Sequence, residues 1–460
     1  MPSPIQIAPP SVKSGVTGQH AIVVGGSIAG LLAAEVLGQR FERVTLIERD
    51  AFPDGAEPRK GVPQSRQTHG LLASGRQALE RLFPGFTADV LEQGAVPSDV
   101  LADTLWFFEG GWLARKREGL DGLLLSRPFI ESAIRRRVLQ RTNLVRRDDC
   151  AIDALTLTNG RVTGVRIGNE LVTADLVVDA TGRGSKTPQW LEELGFARPT
   201  EERVEVGIKY MTRRFERREN APGDANAVII PPTPDGKRGG VMLAQEHGAW
   251  TVTLISNFCD APPADLDAFV SYAQTLPSPI IHDVIRDAKP LGDALPHHFP
   301  FSVRRRYELL KQFPDRLIVM GDAMCSFNPI YGQGMSVSAQ EALALGAAVD
   351  AGLEQLPRRF FKRAAAIVDI PWGIAVGSDL RIPETIGPRN AGVSFVNWYL
   401  AKLHRAAHHD AALSYCFMRV ANLIAPPPTI FAPPVVFRVM RGNWKRRHNE
   451  RHVHAAVAAR

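Results

Sequence analysis

The sequence has few cysteines and no long apolar run. Its four cysteines are scattered along 460 residues without a CxxC pair. This spacing argues against a disulfide framework or a zinc site and is typical of a protein from the reducing cytoplasm. No apolar stretch reaches about 18 residues, the length that indicates a membrane span. Residues 1–19 lack the apolar middle of a signal peptide, so we expect a flexible tail there.

Protein-borne catalytic groups are also missing. We find no Ser/His/Asp set, no paired carboxylates at catalytic spacing and no metal-ligand cluster, so we predict no catalytic side chain and no metal. A hydrophobic content of 45% with 22% charged residues is typical of a globular protein, and the length indicates two or three domains. Chemistry in such a chain would be supplied by an organic cofactor.

Positive charge is in excess, with a formal net charge of +7. Part of the excess is local, in a basic cluster near the end of the chain: Arg438, Arg441, Lys445, Arg446, Arg447 and Arg451. We interpret it as a solvated basic tail, with contact to a membrane surface or nucleic acid as the alternatives. Because no interleaving of aromatic and basic residues is evident, we predict no nucleic-acid partner and no integral membrane association.

A strand, a tight turn, a helix and a second strand open the ordered chain. The run from His20 to Gly25 is apolar and short, as in a strand buried on both faces of a parallel sheet. Helical spacing follows from Ile28 to Arg40, and Val44–Ile47 forms the next strand. This pattern predicts a βαβ unit.

The turn of this unit resembles the dinucleotide-binding pattern GxGxxG. Gly25 permits the tight turn, Gly30 lets the helix pack on the strand, and Ser27 replaces the middle glycine. The N–H groups of the first helical turn, which includes Ile28 and Ala29, can bind a pyrophosphate. Acidic Glu48 ends the second strand, where a carboxylate binds ribose hydroxyls and disfavours a 2′-phosphate. We therefore predict FAD or NAD here, with Arg49 beside it.

A second glycine-rich segment follows the buried strand Leu317–Met320. Gly321 and Asp322 lie at the tip of that strand, and Pro329 precedes a cluster of Gly332, Gln333, Gly334 and Met335. We expect a helix to begin near Ser336, with exposed N–H groups at its start. Such a helix end stabilises negative charge, which a reduced flavin ring develops.

This segment resembles the FAD ribityl motif of the class A flavoprotein monooxygenases, in the form GDAxxxFNPxxGQGM. The resemblance implies FAD as the cofactor. It implies that Asp322 holds ribityl or pyrophosphate oxygens and that Pro329 lies against the flavin. Gly334 and Met335 would face the pyrimidine edge of the ring.

A third motif, from Val177 to Ser185, places Asp179 and Gly182 at positions that contact FAD in this family. The usual Asp–Gly pair is replaced by Thr181-Gly182, which leaves nicotinamide binding open. The string DATGRGS is similar to that of bacterial flavin-dependent epoxidases of polyether biosynthesis.

Two arginines and a histidine extend that resemblance. It implies that Arg59, in the string Arg-Lys-Gly-Val-Pro-Gln, and Arg127 face the cofactor. Taken by themselves, both are equally compatible with structural ion pairs. We interpret His69 as a hydrogen-bonded structural residue.

The motifs together predict an α/β fold of the para-hydroxybenzoate hydroxylase type. It would have a Rossmann-like FAD-binding domain formed by residues 20–197 and 300–350, after the flexible tail 1–19. A substrate-binding β-sheet domain would be inserted at residues 198–299, and residues 351–460 would form a C-terminal helical region.

The implied function is an FAD-dependent monooxygenase of secondary metabolism, a monomer or homodimer. NADPH or NADH would reduce FAD, and one oxygen atom of O2 would pass through a flavin C4a-hydroperoxide to a small hydrophobic organic substrate. The product would be an epoxide or a hydroxylated aromatic ring.

Alternatives are a halogenase, a prenyl double-bond reductase and a non-enzymatic flavin sensor. Pro371-Trp372-Gly373-Ile374 matches the WxWxIP signature of halogenases poorly. The reductase shares the cofactor fold, and a sensor would show no substrate-stimulated NAD(P)H oxidation.

Overall fold

A computed structural model describes residues 16–218 and 222–458, with the side chains of the last helix described as far as Arg446. Residues 1–15 of the predicted tail lie outside the described residues. The predicted boundary of the tail at residue 19 is wrong, because the first strand begins at Gly18 and pairs there with Phe41.

The first strands of the chain are β1 (Gly18–Val24), β2 (Phe41–Ile47), β3 (Gly70–Leu71), β4 (Val96–Asp99), β5 (Thr104–Phe108), β6 (Gly111–Trp112), β7 (Asp121–Leu124), β8 (Leu144–Arg147), β9 (Ala154–Thr158) and β10 (Arg161–Ile167). They are followed by β11 (Glu170–Thr173), β12 (Leu176–Asp179), β13 (Glu201–Glu216), β14 (Ala227–Ile230), β15 (Arg238–Gln245), β16 (Ala249–Asn257), β17 (Leu295–Arg305), β18 (Leu317–Val319) and β19 (Cys325–Ser326).

The helices are α1 (Ile28–Gly38), α2 (Ala73–Leu82), α3 (Phe86–Glu92), α4 (Arg127–Leu139), α5 (Thr187–Glu193), α6 (Leu266–Gln274), α7 (Ile280–Ile285), α8 (Gly334–Val349), α9 (Leu356–Asp379), α10 (Ala391–Ala407), α11 (Ala411–Ala421) and α12 (Pro433–Ala458). None of the helices in the described part of the chain is both long enough and apolar enough to cross a membrane.

The chain divides into two compact units. The first contains Met1–Gly94, Leu125–Glu205 and Phe301–Ala375, and the second contains Ala95–Leu124, Val206–Pro300 and Val376–Arg460. Residues 95–124, which we predicted in the FAD-binding domain, belong to the second unit. The α/β fold class predicted from the sequence is confirmed.

A parallel sheet in the order β18-β12-β1-β2-β8 organises the first unit. The strand core is apolar on both faces, and Ala21, Ile22 and Val23 are fully buried. Since parallel strands end at the same edge, the ends of β1, β2, β12 and β18 lie side by side. Ligands of open α/β sheets bind along this edge.

Short sequence signals explain local structure in the first unit. Asn159 and Gly160 form the hairpin turn between β9 and β10, both with positive φ. Ser126 is the N-cap of α4, where its Oγ accepts a hydrogen bond from the N–H of Phe129 at 3.3 Å. The helix expected near Ser336 begins two residues earlier, at Gly334.

The second unit is built on a sheet in which β13, β16, β15 and β14 are antiparallel neighbours, followed by β5 and β6. Strands β15 and β16 pair across His247-Gly248, and both turn residues have a φ of 62°. Trp250, Phe215 and Phe269 lie in the core of this unit with α6 and α7.

Candidate functional site

The glycine turn between β1 and α1 has no room for larger residues. Gly25 has a φ of +102°, and an added Cβ would lie 2.4 Å from the carbonyl oxygen of Ala180. A Cβ on Gly30 would lie 1.7 Å from the carbonyl oxygen of Gly25. The turn therefore requires glycine at both positions where the dinucleotide pattern has it.

Glu48, at the end of β2, closes back onto this turn. Its Oε2 accepts a hydrogen bond from the N–H of Gly26 at 2.6 Å and lies 3.1 Å from Nη1 of Arg59. Its Oε1 accepts from the N–H of Asp50 at 3.1 Å. The carboxylate is therefore fixed beside the glycine turn, at the position that sequence reasoning gave it.

Glu131 on α4 connects Arg59 to Arg127, and sequence reasoning missed it. Nε of Arg59 donates to its Oε1 at 2.8 Å, and Nε of Arg127 donates to its Oε2 at 3.3 Å. Ser27 lies between them: its Oγ donates to Glu131 at 3.1 Å and accepts from Nη2 of Arg127 at 2.7 Å. Arg59 and Arg127 are thus buried ion-pair residues at the glycine turn.

Electrostatics hold this cluster in its charged form. Burial raises the pKa of Glu131, but Arg127 and Arg59 outweigh burial and lower that pKa below its usual range. Burial lowers the pKa of Arg59, but Glu131 and Glu48 outweigh it and raise that pKa. The i,i+4 spacing of Arg127 and Glu131 was the signal available in the sequence.

Asp179, at the end of β12, organises its own loop. One carboxylate oxygen accepts from the N–H and the Oγ1 of Thr181 at 2.9 and 2.6 Å. The other accepts from Ser185 Oγ and Thr187 Oγ1, each at 2.5 Å. Because four donors occupy the carboxylate, a cofactor contact through Asp179 stays a prediction that this geometry does not support.

Gly321 connects the tip of β18 to α1 and α8. It has a φ of +66°, and an added Cβ would lie 2.7 Å from the Cβ of Ala29 in the first turn of α1. Its N–H donates to Oε2 of Glu341 on α8 at 2.7 Å. The two glycine-rich motifs, nearly three hundred residues apart in the sequence, therefore meet in the structure.

Glu341 is fully buried, and its Oε1 has no hydrogen-bond partner among the described residues. Burial raises the pKa of this carboxyl group to about 8, although the hydrogen bond from Gly321 acts in the opposite direction. Sequence reasoning did not single out Glu341. Its place directly before the apolar helical run Ala342–Leu345 was the available signal.

Asp322 differs from the other carboxylates at this edge. Its side chain is partly accessible, and it makes no hydrogen bond to residues 16–218 or 222–458. Burial raises its pKa, against the charges of Arg127 and Arg183. An added Cβ on Gly334 would lie 4.0 Å from its Oδ1, so the carboxylate lies beside the first residue of α8.

The remaining predicted site residues have varied surroundings. Gly182 and Gly332 are partly exposed with positive φ, and Met335 is buried in α8. Pro329 and Arg49 are exposed. His69 accepts or donates through Nδ1 to the carbonyl oxygen of Gln67 at 2.8 Å, as expected for a structural histidine.

No protein-family model matches the chain, but known proteins are similar to it in sequence. Protein Rv3254 of Mycobacterium tuberculosis is 32% identical over 460 aligned positions, covering 94% of this chain and 96% of that protein. Kynurenine 3-monooxygenase of Salinispora tropica is 25% identical, covering 71% of this chain and 72% of that protein.

Solved structures share the fold. The flavin-dependent brominase Bmp2 superposes with a TM-score of 0.65 at 14% identity, covering 93% of this chain and 100% of that chain. PqsL of Pseudomonas aeruginosa, a probable FAD-dependent monooxygenase, gives 0.59 at 16% identity and covers 82% and 100%. The chain is similar in sequence to a curated monooxygenase and has the fold of FAD-dependent monooxygenases. The family resemblance predicted from the sequence is thereby confirmed.

The residues of this monooxygenase fit the FAD that the family implies. The glycine turn exposes the first N–H groups of α1, and Ser27 and Ala29 there are only partly buried. The carboxylate of Asp322 accepts no hydrogen bond within the described part of the chain, so it can accept hydrogen bonds from ligand hydroxyls. No side chain caps the start of α8, which leaves N–H groups for an electron-rich ring edge.

Proposed function

We propose that this monooxygenase inserts one oxygen atom of O2 into a small hydrophobic organic substrate and uses NADPH or NADH as the reductant. Epoxidation of an alkene and hydroxylation of an aromatic ring are the two reactions we propose, in cytoplasmic secondary metabolism. The observation that carries the proposal is the carboxylate of Asp322, which accepts no hydrogen bond from the described residues and lies between the glycine turn and the start of α8. A polar group kept without a partner at the ligand edge of the sheet is expected to serve a ligand.

The residues have separable roles in holding FAD. The N–H groups at the start of α1 would bind the pyrophosphate, and Glu48 would accept a ribose hydroxyl. Asp322 would accept ribityl hydroxyls, and the first turn of α8 would stabilise charge on the pyrimidine edge. The chemistry that FAD supplies when bound is two-electron redox chemistry and the activation of O2.

Arg59 and Arg127 support the site through Glu131. Both guanidinium groups are held in place by the buried carboxylate before any ligand binds. Arg127 also acts on the charge of Asp322. We propose that this arrangement fixes the positive charge near the pyrophosphate, so that little reorganisation accompanies cofactor binding.

The test is oxygen transfer by the purified protein with FAD. We expect a two-banded flavin spectrum that bleaches with NADPH or NADH, faster when the correct alkene or aromatic compound is added. With isotopically heavy O2, one heavy atom should enter the product and none should come from water. Turnover of nicotinamide that yields only H2O2 with every compound of a broad panel would contradict oxygen insertion, and a chain that binds no FAD after reconstitution would contradict the whole proposal.

A flavin-dependent halogenase is the second candidate, because the brominase shares the fold over 93% of the chain. Against it, Pro371–Ile374, the poor match to the halogenase signature, lies inside α9. The test is product formation with and without bromide: bromide-dependent bromination of a phenol or pyrrole would favour the halogenase over the oxygenase.

A further inference from the structure

The exposed aromatic residues of the described chain are concentrated on two helices. Every exposed Phe, Tyr or Trp in residues 16–218 and 222–446 lies on α10 or α12: Phe395 and Trp398, each 55% exposed, Phe437, 66% exposed, and Trp444, 67% exposed. Met440 on α12 is 68% exposed as well. Single exposed apolar residues are ordinary, whereas a cluster marks an interaction surface.

The spacing of these residues places them on one stripe of each helix. Phe437, Met440 and Trp444 follow each other at three and four residues, which is one face of α12. Phe395 and Trp398 lie one turn apart on α10, with their rings 5.8 Å apart. The buried faces of the same helices carry Val439 and Tyr399, so the apolar stripes are additional to the residues of the core.

Helices α10 and α12 pack directly on each other. A Cβ on Gly442 would lie 2.8 Å from the Cβ of Ala406, and Nδ2 of Asn443 donates to the carbonyl oxygen of Lys402 at 2.8 Å. Phe431, just before α12, stacks on Phe395 with ring centroids 6.3 Å apart. The two stripes therefore belong to one layer of the second unit, which we call the aromatic–basic layer, residues 386–449.

This layer also contains the positive charge of the protein. It has a single acidic residue, Asp410, against nine basic ones: Arg389, Lys402, Arg405, Arg419, Arg438, Arg441, Lys445, Arg446 and Arg447. Asp410 is already paired with Arg438 at 2.7 Å. The remaining sequence is close to neutral, since the whole chain has a formal charge of +7. Arg441 and Lys445 are exposed next to the apolar stripe of α12.

We propose that the aromatic–basic layer is a docking surface for a bilayer of anionic phospholipids. Trp and Phe side chains insert at the headgroup level of a membrane, and neighbouring Lys and Arg side chains bind its phosphates. Trp444 lies between Arg441 and Lys445 on α12, and Phe437 directly precedes Arg438. This region therefore does contain the aromatic–basic interleaving that sequence reasoning missed. The inference rests only on α10 and α12 and goes beyond the proposed oxygenase function.

Two other occupants fit the layer less well. In a symmetric dimer of this chain, the same patch would face itself, and Arg441 and Lys445 would approach their own copies, which brings like charges together. A nucleic acid duplex would match the positive charge, but its bases are stacked and paired and leave no apolar phase for Met440 and Phe437.

The test is co-sedimentation of the full-length protein with vesicles of phosphatidylcholine alone or mixed with phosphatidylglycerol. We expect binding to the anionic vesicles, weak binding to the neutral ones, and release at high salt. The double variant Arg441→Glu/Lys445→Glu should reduce the partition coefficient by about tenfold or more. Its matched control is Lys362→Glu/Arg363→Glu, the same charge change at exposed positions of α9.

A second pair of variants tests the apolar contribution. Met440→Ser should weaken vesicle binding, whereas Leu309→Ser, at a residue with the same 68% exposure, should leave it unchanged. Unchanged thermal unfolding shows that each variant is folded. The proposal is overturned if anionic vesicles do not bind the protein, if both charge variants bind vesicles equally, if Met440→Ser abolishes a dimer instead, or if a nucleic acid binds at salt concentrations where vesicles do not.

Discussion

Carboxylates in the first unit fall into two groups that the sequence does not distinguish. Both carboxylate oxygens of Glu131 and of Asp179 accept hydrogen bonds from protein donors. Asp322 has no hydrogen-bond partner among the described residues, and Glu341 has a partner for only one oxygen. Glu131 and Asp179 therefore stabilise the folded site, whereas Asp322 and Glu341 lower the stability of the folded protein.

The difference indicates where a ligand completes the structure. A carboxylate whose surroundings raise its pKa, and which accepts no hydrogen bond from the described residues, raises the free energy of the folded state, so its presence points to a compensating function. In this monooxygenase, that group lies at the tip of β18, next to the start of α8. Loss of Glu131 or Asp179, in contrast, is expected to destabilise the protein with or without FAD.

The largest effect on stability is expected for Glu131→Ala. Its loss leaves Arg59 and Arg127 buried without their shared carboxylate, which typically costs about 3–5 kcal/mol of unfolding free energy. Urea unfolding of the FAD-free protein measures it. Glu92→Ala, at an exposed acidic residue, is the control and should change stability by less than about 0.5 kcal/mol. Equal effects of the two variants would show that the ion pairs contribute nothing.

A smaller, pH-dependent effect is expected for Glu341→Gln. Because burial raises the pKa of Glu341 to about 8 in the folded protein, the folded state holds a proton that the unfolded state releases near its ordinary pKa. The stabilisation by that proton is complete at low pH and is lost as the pH rises toward 8. Glutamine keeps an acceptor for the N–H of Gly321 and does not titrate.

The unfolding free energy of Glu341→Gln, relative to that of the wild type, should therefore rise by an amount on the order of 2 kcal/mol between pH 5 and pH 8. Denaturant unfolding at several pH values measures the gain. Asp322 lies close enough to contribute to the raised pKa of Glu341, so the double variant Glu341→Gln/Asp322→Asn identifies its share. Parallel stability curves of wild type and Glu341→Gln would contradict the raised pKa.

Asp179→Asn should destabilise the FAD-free protein by about 1–3 kcal/mol. The amide replaces a charged acceptor of hydrogen bonds from Ser185, Thr187 and Thr181 and turns a donor toward at least one of them. Thermal unfolding measures the change, with Asp54→Asn at an exposed position as the control. No loss of stability would mean that the loop after β12 does not depend on this carboxylate.

The sequence predicted the strands, both glycine-rich motifs and the family, because buried strands and glycine turns are local patterns. It did not predict Glu131, since an i,i+4 pair such as Arg127 and Glu131 most often lies on a solvated helix face. Only the folding of the segment around Arg59 onto α4 makes this pair part of the site.

The sequence partly indicates the difference between Asp179 and Asp322. Both follow buried parallel strands, yet Asp179 is followed by Thr181, Ser185 and Thr187, whose hydroxyls fold back onto it. Asp322 is followed by Ala-Met-Cys, which offers no hydroxyl. The hydroxyl-bearing residues that follow each aspartate therefore determine which of the two carboxylates remains available to a ligand.

Asp322→Asn should show the reverse of the pattern expected for Asp179→Asn. Because burial raises the pKa of Asp322, removal of its charge should leave the FAD-free protein unchanged or more stable, within about 0.5 kcal/mol. If its carboxylate accepts ribityl hydroxyls, FAD affinity should fall by about tenfold or more, as for a lost hydrogen bond to a charged group. Flavin fluorescence quenching during titration of the FAD-free protein measures that affinity, and thermal unfolding measures stability. A loss of stability without a loss of affinity would place Asp322 with the paired carboxylates, and the ligand edge of the sheet would then need another hydroxyl acceptor.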